Sequence, residues 1–443
     1  MSEESARMQD NRHGELARDG GDVLAAVAEL PGGRELLELA DGREDVGIVG
    51  GAVRDLLLGR QPRELDVVVA EGAGELATAL ASRLGARADE SADERSGSTF
   101  NERFRTARVC WSGGTIDIAT RRSESYTSPG ALPLVGDGTF AEDLDRRDFT
   151  VNAFAVALGG RRRGALLAAE HAREDLAAGW LRVLHDDSFV DDPTRLLRLA
   201  RYRARLQFEI EPHTATLARE ALQGGALASV SRARTGAELR LALGERDPVA
   251  ALASLQQLGV LAALGAGLLF DASLAATALE LLPPDGHPQA LLLGALLAPS
   301  TQAAAGQSGA GLRALLDEFE FPAAERERVI RSVLAAPLLI ELLERRQRPS
   351  QLHDALAAHP PEAVALAAAL AGRATPAWEA AREWLGRLRT IGLSIGGQDL
   401  LDAGIPAGPE IGRRLAAALA AKLDGEIEQG REAELAAALA ERA

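Results

Sequence analysis

Two carboxylates two residues apart, Glu64 and Asp66, are the first candidates for chemistry in this sequence. Residues i and i+2 of a β-strand project from one face, so these acids would stand side by side. Like charges that close repel unless cations lie between them, and hard oxygen donors suit Mg²⁺. Upstream, Gly50 and Gly51 precede Arg54. A glycine pair lets the backbone pass close to a ligand where a helix begins, and a guanidinium in the first turn would meet a polyphosphate. Phosphates on one side and cations on the other is the arrangement that phosphoryl transfer uses. Each half also has an ordinary reading, a plain turn for Gly-Gly and a solvated strand edge for E-x-D. Their joint spacing sets the block apart from both.

The elements that must position these groups follow from the pattern. Val46 to Val49 reads as an apolar strand, Gly50-Gly51 as a turn, the next residues as a short helix, Gly59 to Pro62 as a second turn and the residues up to Val69 as a second strand. Glu75 to Leu84 places Leu76, Ala79, Leu80 and Leu84 on one helix face, and Arg105 to Trp111 reads as a strand. After a hairpin turn at Gly113-Gly114, Asp117 stands between Ile116 and Ile118 and faces away from both. It is either a surface aspartate on a half-buried strand or a third carboxylate for Glu64 and Asp66. Glu142 to Arg147 reads as a short helix, followed by a strand through Val156. Pro193, with Asp192 as N-cap, opens a helix on which Arg195, Arg198 and Arg201 recur at i, i+3 and i+6. Arginines clustered without interleaved Glu repel one another, which favours a phosphate or base partner over a solvated face.

The block from Gly50 to Asp66, the string Arg146-Arg-Asp148-Phe-Thr-Val-Asn152-Ala153 and the Asp191-Asp192-Pro-Thr-Arg195 helix start resemble the bacterial tRNA nucleotidyltransferase and poly(A) polymerase family, the class II CCA-adding enzymes. Two positions depart from it: Glu64 stands where the first metal carboxylate is normally Asp, and Asp191 where Glu is usual. The resemblance implies an α+β N-terminal nucleotidyltransferase palm, a mixed sheet with helices, followed by an all-α neck, body and tail. The implied divisions are a polar tail and leading helix over 1–45, the palm over 46–158, the neck over 159–245, and the body and tail over 246–443. It implies that Glu64, Asp66 and Asp117 hold two Mg²⁺ ions, and that Gly50, Gly51, Arg54, Arg146, Arg147 and Asp148 bind the ribose and triphosphate of ATP or CTP. Asp192, Arg195, Arg198 and Arg201 would read the base and grip the nucleotide. The segment after Asp117 would be a mobile loop. Gly408 and Gly412, at a helical hairpin in the tail, would touch tRNA. The implied activity adds C and/or A to the tRNA 3′ end; A-only addition, CC-only addition, poly(A) synthesis and an inactive RNA-binding descendant are the alternatives.

Composition bounds the rest. Hydrophobic residues make up 47% of the 443 but aromatic residues only 4%, which favours a mainly helical chain with several domains. From Asp247 onward helices would be separated by turns at Pro283-Pro284, Pro299, Pro322, Pro360-Pro361 and Pro376. A single cysteine, Cys110, excludes an internal disulfide framework. The first 22 residues lack the apolar core of a secretion signal, about 20 of them read as disordered, and no apolar run is long enough to span a bilayer. A cytoplasmic protein with no membrane association and no obligate protein partner is expected. The net charge of −16 argues against a broad RNA-binding surface, though a local basic cleft is compatible with it. Lys422 is the only lysine, so nearly every basic contact must be made by Arg.

Overall fold

The computed structural model describes residues 19–86, 97–101, 105–265, 267–303, 309–428 and 430–440. The expected disordered tail up to residue 18, and residues 88–96 and 102 of the polar run from Ala88 to Glu102, lie outside these residues; Gly97–Asn101 of that run form a strand. The chain divides into two compact units, residues 1–231 and 232–443.

The first unit opens with helices α1 (Gly20–Glu29) and α2 (Gly33–Ala40), broken where the sequence places Pro31-Gly32. Strand β1 (Gly47–Val49) runs into helix α3 (Gly51–Leu57), then strand β2 (Leu65–Val69) and helix α4 (Ala73–Arg83). Strands β3 (Gly97–Asn101), β4 (Thr106–Trp111) and β5 (Gly114–Thr120) follow, the last two as the expected hairpin. With β8 (Phe154–Ala157) and β9 (Leu166–Ala168) they form a seven-stranded sheet in the order β3-β4-β5-β2-β1-β8-β9. Only β2 and β5 run parallel, so the sheet is mixed. Ile116, Ile118 and Val67 are buried on one face, as strand alternation requires, and α4 packs against β4 and β5.

Two local expectations are corrected. The segment after β5 pairs as a separate two-stranded ribbon, β6 (Arg122–Ser125) with β7 (Leu134–Asp137), where a loop was expected. After helix α5 (Phe140–Asp145) the chain enters a 3₁₀ turn at Thr150–Asn152 before β8, where an uninterrupted strand was expected. Side chains impose that turn: the Asp148 carboxylate accepts hydrogen bonds from the Phe149 amide and the Asn152 side-chain amide, both at 2.9 Å, and Thr150 Oγ1 donates to Asp175 at 2.7 Å.

Helix α6 (Ala172–Ala178) ends at Gly179, whose φ of 72° makes the left-handed cap that glycine adopts without strain. Strand β10 (Trp180–Leu181), helix α7 (Ser188–Asp191), helix α8 (Thr194–Leu206), strand β11 (Glu209–Ile210) and helix α9 (Pro212–Gln223) complete the ordered elements that concern the site. Helix α8 starts at Thr194, one residue later than expected. Its N-cap is therefore Pro193 and not Asp192, which stands one residue earlier and accepts from the Thr194 amide at 3.1 Å and its hydroxyl at 2.6 Å.

The second unit is helical throughout its described residues. The long helix Ala323–Leu343 packs against Pro361–Ala371, a helix in which Glu362 to Ala369 are all buried. Helix Pro288–Ala303 runs through Pro299, which therefore makes no turn. A proline removes one backbone donor, and here the helix continues past that gap. Near the end, Gly397–Asp402, Pro409–Leu423 and Arg431–Leu439 gather around Leu400, Ala418 and Ala438. Gly412 lies within Pro409–Leu423 and not in the turn, and open space surrounds both it and Gly408. Lys422 donates at 2.6 Å to Glu434, a fully buried carboxylate that also accepts the Ser394 amide at 2.6 Å. No helix among the described residues is long and apolar enough to cross a membrane.

Candidate active site

The parallel pairing of β2 and β5 sets Asp66 directly opposite Asp117, and Glu64 lies immediately before β2. The structure thus brings together the three acids that the sequence singled out. Asp66 reports their mutual repulsion: burial first, then the charge of Glu64 and, less strongly, that of Asp117 push its carboxyl up to about 6, against partial relief from Arg147 and Arg108. Asp117 is held from β4, where Arg108 Nε and Nη2 donate to its two oxygens at 2.7 and 2.8 Å. No three acids, histidines or cysteines among the described residues converge tightly enough to enclose a metal as they stand.

Arg147 and Gly50 border the acidic row. Gly50 has φ 73°, and a β-carbon there would lie 2.5 Å from Arg147 Nη1 and 3.7 Å from an Asp66 oxygen. Only glycine lets the guanidinium lie so close over the β1–α3 turn. Arg147 Nη2 donates to Asp143 at 3.0 Å, but its buried Nε has no hydrogen-bond partner. Arg146 is more fully engaged: two nitrogens donate to Asp143 Oδ1, a third to Glu124 at 3.0 Å, and its carbonyl accepts from Arg195 at 2.8 Å. Burial alone would raise the Asp143 carboxyl, yet Arg147 and Arg146 together hold it below its ordinary value.

A raised carboxyl and an orphaned guanidinium nitrogen beside a backbone cradle are what a divalent cation and a phosphate would resolve. The donor set is all oxygen, which fits Mg²⁺.

Arg54 lies elsewhere than expected. It is 1% exposed, with Nε at 2.8 Å and Nη2 at 2.7 Å from Asp55 Oδ1, and Nη1 donates to Asn152 Oδ1. Asn152 passes the network to Asp148, and Asp148 Oδ2 accepts from Arg198 Nε and Nη2 at 2.8 and 2.6 Å. Arg205 returns from α8 to Asp55 at 3.6 Å. The guanidiniums of Arg54, Arg198 and Arg201 lie 5.6, 5.5 and 5.0 Å from the centre of the Tyr202 ring, which meets Phe149 edge-on. The acids that the α8 arginines need therefore come from α3 and from Asp148, not from α8 itself. Burial would raise Asp148, but Arg198, Asn152 and Arg195 hold it down at about 2. Arg195 and Arg201 are also buried, at 4% and 5% exposure, and Arg195 donates to Ser188 Oγ. Thus Arg54 is a tie between α3 and α8 and does not lie open to a triphosphate.

The first unit matches the Poly A polymerase head domain over residues 46–182. An A-adding tRNA nucleotidyltransferase of Geobacter sulfurreducens is 33% identical over 411 residues, covering 89% of this chain and 45% of that one. A CC-adding tRNA nucleotidyltransferase of Deinococcus radiodurans is 36% identical over 305 residues, covering 67% of this chain and 74% of its own length. The chain belongs to the tRNA nucleotidyltransferase family. A solved CCA-adding enzyme of Thermotoga maritima, in complex with tRNA, superimposes with a TM-score of 0.71 at 26% identity, covering 95% of this chain and 98% of the other. The chain spans 52% and 45% of the length of two A-adding relatives and 23% of that of a third.

Sequence reasoning missed several groups that shape this candidate site. Arg108 faces Asp117 across strands, and only the sheet register reveals it. Asp143 and Glu124 hold Arg146, and Asp143 also holds Arg147; the i,i+3 and i,i+4 pairs within one turn and the cross-element pair to Glu124 were not singled out. Tyr126 donates to Glu124 at 3.1 Å, and burial together with that carboxylate pushes its phenol up to about 12. Asp192 and Arg195 also act on the phenol electrostatically, so the ribbon and the start of α8 are neighbours.

Proposed function

We propose that this chain is a template-independent RNA nucleotidyltransferase that adds C and/or A to the 3′ end of tRNA with release of pyrophosphate. The observation that carries this reading is the acidic row of Glu64, Asp66 and Asp117 beside the Gly50–Arg147 cradle, within a member of this family. Solved CCA-adding enzymes of the same fold hold ATP and CTP. Glu64, Asp66 and Asp117 are assigned to two Mg²⁺ ions, which when bound supply Lewis-acid activation of the 3′-hydroxyl and neutralisation of phosphate charge.

The chain's own residues do the rest. Gly50 and Gly51 let the triphosphate approach the backbone, and Arg147, with one nitrogen unpartnered, meets its negative charge. Arg146 and Asp148 act behind it, fixing the ribbon and α8 against the turn. Asp192 and Arg195 carry base recognition at the start of α8, while Arg198 and Arg201 hold that helix in position from their sites around Tyr202. Gly408 and Gly412 remain candidates for tRNA contact in the tail, because open space around them admits a close backbone. Cytoplasmic action follows from a tRNA substrate. The test offers three tRNA transcripts, ending before CCA, after C and after CC, with labelled CTP or ATP and Mg²⁺. Incorporation to a complete CCA end establishes the full activity. Addition confined to CTP, or to ATP on the CC-ended transcript, assigns one half of it, a division that the A-adding and CC-adding relatives make a specific second reading. Absence of incorporation on every transcript contradicts the proposal.

A further inference from the structure

One charge of the acidic row has no place in the chemistry above. On β4, Arg108 stands directly opposite Asp117, and on the other side of Asp117 stands Asp66. Across three adjacent strands one face of the sheet therefore reads Arg108, Asp117, Asp66. The guanidinium takes both oxygens of Asp117 in a forked pair. That fork is the geometry in which arginine binds a carboxylate most strongly, and it covers the lone pairs that a cation would need. Asp66 has no such cover, and only the more distant charges of Arg147 and Arg108 offset its neighbours.

Resting on the metal reading above, we propose that Arg108 is a built-in counter-ion that competes with the divalent cation for Asp117 and so sets the affinity of the acidic row for it. Without a cation, Arg108 keeps the row from carrying its full repulsion and holds Asp117 against β4. When a cation takes an Asp117 oxygen, the long arginine side chain swings outward. It has room to do so, being 57% exposed, and for the same reason its competition is modest and weakened by salt.

The test is calorimetric titration of the nucleotide-free protein with Mn²⁺, with no RNA present, for wild type, Arg108→Gln, Arg108→Lys, Asp66→Asn and Asp117→Asn. Circular dichroism checks that each is folded. Arg108→Gln is expected to bind Mn²⁺ about 1.5-fold to fivefold more tightly than wild type, the range of a partly exposed ion pair. Arg108→Lys should fall between, because it keeps the charge and loses the fork. The gain should vanish when Arg108→Gln is combined with Asp117→Asn. Unchanged or weaker binding in Arg108→Gln, while the aspartate variants lose the ion, overturns the counter-ion role alone. Mn²⁺ binding that survives both Asp66→Asn and Asp117→Asn overturns the metal assignment, and the counter-ion role falls with it.

Discussion

Asp66 and Asp148 lie in the same folded unit and have opposite electrostatic fates. Asp66, buried and crowded by Glu64 and Asp117, is pushed up to about 6; Asp148, bonded to Arg198, Asn152 and the Phe149 amide, is held at about 2. The first sits in a surplus of negative charge that Arg147 and Arg108 offset only in part. The second closes a network that runs from Asp55 through Arg54 and Asn152 to α8. A fold can retain an uncompensated carboxylate only at a cost in stability, so such a group marks a place where a ligand completes the structure. A compensated cluster marks scaffold, even when its residues are the arginines that a sequence most readily assigns to phosphate.

Substitutions can break this contrast. The largest effect is expected for Asp66→Asn, which should lower nucleotide incorporation by about 10³-fold or more, since it removes a ligand to the cation. Its tRNA affinity by gel shift and its metal-free melting temperature should be unchanged, or the latter raised, because the substitution relieves repulsion. Asp148→Asn should do the reverse, costing about 3 kcal/mol in denaturant unfolding by removing the buried carboxylate charge that Arg198 is bonded to, and lowering activity only through that loss. Gly50→Ala forces a β-carbon at φ 73° into the space of Arg147. About 1–2 kcal/mol of stability should be lost, with a higher KM for the nucleotide in steady-state kinetics. The smallest effect concerns pH. Asp148 has a folded value below its unfolded one near 4, so its stabilisation is fully present above about pH 4 and is lost as pH falls towards 2. The stability difference between wild type and Asp148→Asn, followed by urea unfolding, should therefore narrow across that interval.

Glu64 and Asp66 were legible as a same-face pair because that depends on strand alternation alone. Asp117 was legible as an acid between two apolar strand neighbours, but its place opposite Asp66 came from the resemblance and is set in the structure by the β2–β5 register. The palm sheet and the helical second unit were legible from local pattern, since hydrophobic period and glycine turns mark them. The role of Arg54 was not. Whether an arginine at the start of a helix faces a ligand or a buried Asp55 depends on Asn152 and α8, far along the chain. Likewise the α8 arginines looked like a self-repelling stripe because their acids come from other elements. Arg108 was invisible for a third reason: its partner is set by the β4–β5 register, and a shift of one residue would turn it to the opposite face. The 3₁₀ turn at Thr150 escaped because side chains, and not backbone propensity, build it.

The central claim is that the row around Asp66 is incomplete until a cation binds. The most direct test is the melting temperature of wild type and of Asp66→Asn, each with and without Mg²⁺, in the absence of RNA. An ion that binds only the folded state at a hundredfold excess over its Kd adds about 2.7 kcal/mol. Wild type is predicted to gain several degrees on adding Mg²⁺, and Asp66→Asn to gain nothing. An equal gain in both proteins, or none in wild type, would contradict the assignment of the acidic row.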